Sequence, residues 1–197
     1  KIGEDFFPEN KLLAVANEAM GYMIDDRNFK SGFEEKENML LAEDYFLRAI
    51  KIYEILAKKN FQNHRIGWLL QIRYINRYIA SIFVNHDKQK SIKYIEEALD
   101  LNDVIELSSL SEEIQYNSFY DKNKNSYGYK DKNKKYNFED KVYLALIYRK
   151  YDDLVKAKDI YDDLLPYNNC DQFEFWGTCL YKLGVKSVIY YDLGYED

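Results

Sequence analysis

Helix breakers are scarce in this chain: 197 residues hold two prolines and eight glycines. Most of the chain is therefore open to a helical reading. The two cysteines, Cys170 and Cys179, are too few for a disulfide framework. On one helix they would stand roughly 13 Å apart along the axis, so they could pair only across a turn, and a reduced, cytoplasmic-type interior is the expectation. No apolar run approaches the roughly 20 residues a membrane span needs. No signal-peptide pattern opens the sequence. It begins at Lys1 rather than Met, which leaves an exported or processed chain open. Positive charge is not in excess. The net charge of −6 argues against a general nucleic-acid binder, which needs a basic face. No HExxH, CxxC, GxSxG or phosphate-loop motif occurs.

What is present is globular in balance, with 47% hydrophobic and 31% charged residues, enough for a sizeable core in one domain. Aromatics reach 17%, with 20 Tyr and 11 Phe. A tyrosine ring packs while its hydroxyl stays wet, which suits helix surfaces. Tyr, Asn, Lys and Ile are jointly abundant, as in a low-GC, bacterial-type genome, and part of the Tyr excess is assigned to that bias.

The periodicity predicts a first helix from Pro8 to Ile24, with Leu12, Val15, Ala16, Ala19 and Met23 on one apolar face. A loop at Asp25–Gly32 follows. A long helix over Glu34–Lys59 carries the stripe Ala42, Phe46, Ala49, Ile50, Tyr53, Leu56 and Ala57. A third, His64–Val84, has Ile72, Ile75, Ile79, Ile82 and Phe83 around much of its girth and is expected to be central. A fourth, Lys88–Leu101, turns Ile92, Ile95, Ala98 and Leu99 inward. Residues 102–137 break the pattern and read as a long loop insertion, with a short helix possible over Val104–Ile114 and an exposed Lys- and Tyr-rich stretch over Asp121–Tyr136. Helices are expected again over Phe138–Lys150, Asp152–Leu165, Asp171–Leu183 and Val185–Leu193, with Pro166 and Gly184 as terminators.

Small and aromatic residues recur in step. Leu144, Ala145 and Tyr148 precede Ala157, Tyr161 and Leu164; Ile79, Ala80 and Phe83 precede Ser91, Ile95 and Ala98, with a turn one residue shorter. Phe173, Trp176, Gly177, Leu180 and Gly184 outline a further first helix, and Ala42, Phe46 and Ala49 a further second helix, served by an atypical N-terminal hairpin over residues 1–60. These units resemble tetratricopeptide repeats, helix–turn–helix units of about 34 residues. Leu164 and Asn169 stand where that family prefers Ala and Pro, and Ile189 where it prefers a small residue. The resemblance covers about two thirds of the chain. It implies an all-α fold, a single domain over 1–197 of stacked antiparallel helical hairpins winding as a right-handed superhelix, or α-solenoid.

The resemblance also implies that first helices line a concave, partner-binding surface. On that reading the binding residues are Tyr74, Arg77 and Ser81, then Glu139, Val142, Leu146 and Arg149, then Glu174, Thr178 and Tyr181. The surface is mixed in charge and rich in Tyr, which suits a peptide or a helix. The family's chaperone-binding members grip a terminal carboxylate with several Lys and Asn; only Arg77 and Arg149 stand in for that set here.

Catalysis and cofactors find little support. His64 and His86 lie near opposite ends of one helix, about 33 Å apart, and cannot share a metal. The pairs Asp25–Asp26, Asp152–Asp153 and Asp162–Asp163 could hold Mg²⁺ or run acid–base chemistry, but their places at helix starts and on polar faces fit a solubilising role. Cys179 has no His close in sequence to act as its base. In Asp121–Tyr136 six lysines stand against two aspartates, a local charge of +4. Interleaved with Tyr, that stretch could stack and neutralise single-stranded nucleic acid, or be a solvated loop. The expectation is a non-catalytic scaffold or adaptor that binds a protein or peptide, with no cofactor and no metal. The alternatives are a nucleic-acid-associated module using the 121–136 stretch and a metal-dependent hydrolase on a helical bundle. Partner identity and oligomeric state are not legible.

Overall fold

In the computed structural model the described residues, 7–25, 32–58, 65–120 and 129–164, are helical apart from short turns, with no strand among them. Side chains are described over 11–25, 36–58, 65–105 and 137–164. Six helices follow in order: α1 (Phe7–Ile24), α2 (Gly32–Lys58), α3 (Arg65–Phe83), α4 (Lys88–Tyr120), α5 (Tyr129–Lys150) and α6 (Leu154–Leu164). The chain forms two compact units, residues 1–136 and 137–197.

In the first unit each helix packs on the next. Glu18 meets Tyr53 while Tyr22 meets Phe46, so α1 and α2 run antiparallel. Tyr53 stacks on Trp68 and Phe46 meets Tyr78 edge-on, which makes α2 and α3 antiparallel as well. Alternate helices also touch. Gln71 Nε2 donates to Glu18 and the Tyr78 hydroxyl to Asp25, both across 53 residues. One constant offset means that α1 and α3 lie parallel and in register. On the other side Glu43 of α2 accepts from Lys90 and Tyr94 of α4. Odd-numbered helices thus neighbour one another, and so do even-numbered ones, across two antiparallel hairpins.

The stripes read from sequence are the core here. Ala42, Phe46, Ala49, Tyr53 and Leu56 of α2 are buried, as are Ile72, Ile75, Ile79, Ala80, Ile82 and Phe83 of α3 and Ile92, Ile95 and Ala98 of α4. The small residues sit at the closest approaches. Ser91 is fully buried and its hydroxyl donates to the Ala80 carbonyl at 2.8 Å. Residues of this size let the backbones come together without leaving a polar atom unpaired.

In the second unit α5 and α6 form a hairpin. Phe138, Val142 and Leu164 make one cluster, flanked by Leu146 and Ile160, and Ala145 packs against Tyr161. Lys141 and Asp163 pair across the two helices at 2.5 Å.

The two tight turns differ by one residue, and the structure shows where it goes. In the α3–α4 turn the Asp87 amide donates to the Phe83 carbonyl, and the Asp87 carboxylate accepts from the Lys90 amide, capping α4. In the α5–α6 turn the corresponding bond runs from the Asp153 amide to the Tyr148 carbonyl, one residue further back. The extra residue is absorbed by Asp152, whose φ of 57° is left-handed, a conformation Asp tolerates better than most residues. This is why α6 starts at Leu154 rather than at Asp152.

Several expectations need correction. Residues 102–120 continue α4, and 129–137 already belong to α5, in place of the loop expected over 102–137. No Pro or Gly occurs between Lys88 and Tyr127, and the buried row Ile95, Ala98, Asn102 and Ile105 carries the α4 stripe past Leu101. The first helix also docks with the opposite face to the one its periodicity suggests: Leu12, Val15, Ala16, Ala19 and Met23 are exposed. Its inward face is Ala14, Glu18, Gly21, Tyr22 and Asp25. Gly21 lets the Phe46 ring lie against the α1 backbone; a Cβ there would stand 2.7 Å from ring carbons. The helices expected after Pro166 lie outside the described residues.

Candidate functional site

The α3 helix is enclosed on most of its circumference. Ten of its side chains are buried, including the polar Arg73 and Asn76. Of the rest, Arg65, Gly67 and Tyr74 are exposed and Trp68, Leu70, Gln71, Arg77, Tyr78 and Ser81 half-buried; Gly67, Leu70, Tyr74, Arg77 and Ser81, spaced three and four apart, form one outward row. Tyr74 dominates the row at 53% exposure. Arg77 and Ser81 are half-buried on the same face, and the Ser81 hydroxyl donates back to the Tyr78 carbonyl at 2.7 Å. A Cβ at Gly67 would meet nothing within 4 Å, so the N-terminal end of the row is a shallow floor.

Carboxylates of α1 and α2 tie the four helices of the first unit together. Glu18 accepts from the Tyr22 hydroxyl at 3.2 Å, the Tyr53 hydroxyl at 2.9 Å and Gln71 Nε2 at 2.6 Å. Asp25 accepts from Tyr78. Glu43 accepts from Lys90 Nζ at 2.5 Å and the Tyr94 hydroxyl at 2.6 Å, and the Lys90 ammonium lies over the Phe83 ring. The phenols of Tyr22, Tyr53 and Tyr94 are all pushed well above the usual tyrosine range. Burial is the largest cause in each case. For Tyr22 the Glu18 charge comes next, then the nearby Tyr74; for Tyr53 and Tyr94 it is the hydrogen bond to Glu18 or Glu43. The three phenols stay protonated at neutral pH and donate their hydrogen bonds to Glu18 and Glu43.

On α5, Glu139, Leu146 and Arg149 are half-buried. Val142 is a correction. It is 1% exposed, packed against Phe138 and Leu164, and offers a partner nothing. Leu146 is split between the hydrophobic cluster and a cleft of about 440 Å³ that it lines with Arg149, Lys150, Asp152 and Leu154 at the hairpin turn. Tyr74, Arg77 and Ser81 are brought together in the first unit, and Glu139, Leu146 and Arg149 in the second. Glu174, Thr178 and Tyr181 lie outside the described residues.

No group of three or more His, Cys, Asp or Glu among the described residues could hold a metal ion. His86 is exposed in the α3–α4 turn, Asp153 caps α6, and Asp162 and Asp163 face solvent with Asp163 paired to Lys141. Of the Lys- and Tyr-rich stretch, 129–136 is helical backbone, while 121–128 lies outside the described residues. No helix among the described residues is long and apolar enough to cross a membrane.

Sequence reasoning missed the exposure of the aliphatic surface of α1. The signal was present in the helix itself: Glu18, Tyr22 and Asp25 recur at the same spacing as the apolar stripe and compete with it for the interior. No family model, no curated protein and no solved structure matches this chain.

Proposed function

We propose that this chain is a tetratricopeptide-like scaffold, without a catalytic role, that binds a peptide or partner protein along the outward row of α3. One observation carries the reading. A central helix with ten buried side chains leaves the Tyr74 ring 53% exposed, with Leu70, Arg77 and Ser81 half-buried on the same side. Large side chains on buried helices stay exposed at a cost, and Tyr and Arg are the residues that most often anchor partners. Two further features support it. In the first unit α1 and α3 lie parallel across antiparallel hairpins, and Ser91 packs on the Ala80 carbonyl, an arrangement compatible with stacked helical hairpins.

The row suits an extended peptide or a helix. Gly67 and Leu70 make a low apolar floor, Tyr74 a wall, and Arg77, half-buried on the same side, adds positive charge. The test is affinity capture from the native cell extract with wild-type protein and a Tyr74→Ala, Arg77→Ala double variant of matched melting temperature. A captured protein is then purified and titrated. Anchors of this kind contribute about 2 kcal/mol or more each, so the double variant is expected to weaken binding at least a hundredfold. Equal affinity for both proteins would remove the row from the account.

A further inference from the structure

We infer that α1 carries a second docking surface, and that its occupant is α1 of another copy of this chain, packed antiparallel across a two-fold axis. The surface is the stripe Leu12, Val15, Ala16, Ala19, Met20 and Met23. Leu12 is 67% exposed and Met23 72%, with Val15 at 46% and Met20 at 39%; both alanines are exposed as well. Helix α1 needs no help from these residues to dock on its neighbours, because Ala14, Glu18, Gly21, Tyr22 and Asp25 do that from the other side. The stripe is therefore a surplus apolar face.

Its chemistry narrows the occupant. Between Leu12 and Met23 the single charged residue is Glu18, and its carboxylate is taken by Tyr22, Tyr53 and Gln71. The outward face thus offers no charge to a basic or acidic partner. Lys11, just before the stripe, lies over the Trp68 ring, and the stripe itself has none of the Lys and Arg with which interfacial helices hold a lipid surface. An uncharged apolar stripe is complementary to another such stripe, and the nearest source is the protein itself.

The order of residues fits that source. An isologous contact requires that residue i meet j while j meets i. In an antiparallel pair centred between Asn17 and Glu18, each stripe residue faces another member of the stripe. Leu12 faces Met23, Val15 faces Met20, and Ala16 faces Ala19 of the second copy. The small pair falls on the axis, where two helices must approach to about 8 Å. The long residues fall at the ends, where the crossing helices diverge, and methionine adapts to such gaps. Antiparallel macrodipoles add to the attraction. The stripe leaves roughly 500 Å² of apolar surface open per copy, so a pair would bury about 1,000 Å², the lower bound of a specific interface. The expected product is a weak, concentration-dependent dimer.

The experiment is sedimentation velocity on the full chain from about 1 to about 300 µM, a range that brackets micromolar association. The parent protein is expected to pass from monomer to dimer across it. A variant with Ala16→Glu and Ala19→Glu places like charges on the axis and should weaken the dimer at least tenfold, with circular dichroism showing the helix content unchanged. A register test does not depend on that variant. Leu12→Glu and Met23→Lys should each weaken self-association at least tenfold. Their equimolar mixture should restore it, because the carboxylate introduced in one copy would then face the ammonium introduced in the other. Three results would each overturn the inference: a monomer at every concentration, a dimer indifferent to the Glu substitutions, or a mixture that fails to recover. The Tyr74→Ala, Arg77→Ala variant should dimerise as the parent does, which separates this surface from the partner-binding row on α3.

Discussion

Replacing Gly21 by alanine tests the way the first hairpin closes. A Cβ at this position would stand 2.7 Å from two carbons of the Phe46 ring and 2.9 Å from a third. The ring cannot easily retreat. Phe46 is fully buried, with Tyr22 edge-on at a centroid distance of 5.0 Å and Tyr78 at 5.4 Å, and these two tyrosines meet each other at 4.6 Å. Two terms oppose. Alanine in mid-helix gains about 1 kcal/mol over glycine. Overpacking a core of fixed rings costs about 1–3 kcal/mol, and three sub-contact distances against an immobile ring place this site toward the upper end. The expected net is a loss of about 1–2 kcal/mol, or roughly 3–6 °C in melting temperature for a chain of this size. Gly67→Ala is the internal control. It has the same propensity gain, reduced in the first helical turn to about 0.5 kcal/mol, and no atom within 4 Å to meet. It should raise the melting temperature slightly. Phe46→Leu combined with Gly21→Ala should recover part of the loss relative to the two single changes added together. Urea melts of the parent and the four variants decide the matter. If Gly21→Ala stabilises as Gly67→Ala does, the close approach of α1 to α2 at Phe46 is wrong.

Other substitutions probe the polar network and the turns. Glu43→Ala strands Lys90 and Tyr94 at a largely buried site; because the Lys90 side chain remains 34% exposed, the cost should be about 1–3 kcal/mol rather than the larger loss of a fully buried pair, measured as a shift in the urea midpoint at constant slope. Asp152→Gly relieves the left-handed φ and should stabilise the α5–α6 hairpin by about 0.5–1 kcal/mol, whereas a loss would mean the aspartate side chain holds the turn. The raised phenols give a pH dependence. Tyr22, Tyr53 and Tyr94 favour the protonated form in the folded state, so their contribution is intact below the unfolded tyrosine value of about 10 and falls as pH rises above it. Denaturation midpoints should be level from about pH 7 to 9 and drop between about 10 and 11. Tyr53→Phe with Tyr94→Phe should flatten that drop, and an unchanged slope would assign it to other groups.

The interior was more legible than the surface. The α2 and α3 stripes could be read because most of their apolar residues have no polar competitor at the same spacing, and burial follows. The α4 extension was hidden because Asn102 interrupts the apolar count while occupying a core position; composition marks it as a break, and the absence of Pro and Gly was the better guide. On α1 two faces compete, and the one with fewer aliphatic carbons won. Glu18 gathers three donors there, and Gly21 permits a contact that no larger residue allows. Apolar periodicity cannot weigh hydrogen bonds to other helices. Tyr74, Arg77 and Ser81 share one side of α3 because residues three and four apart lie on the same helix face. Val142 is not open, since the hairpin partner Leu164 reaches across to cover it.

The claim that the open row of α3 receives a partner is tested most directly by photo-cross-linking. A benzophenone amino acid is placed in turn at Leu70, Tyr74 and Arg77, and as controls at Lys93 and Glu96, exposed on α4. The proteins are irradiated in the native cell. One protein adduct, shared by the three row positions and absent from both controls, is the predicted result. Adducts of equal yield at row and control positions, or none at Tyr74, would contradict it.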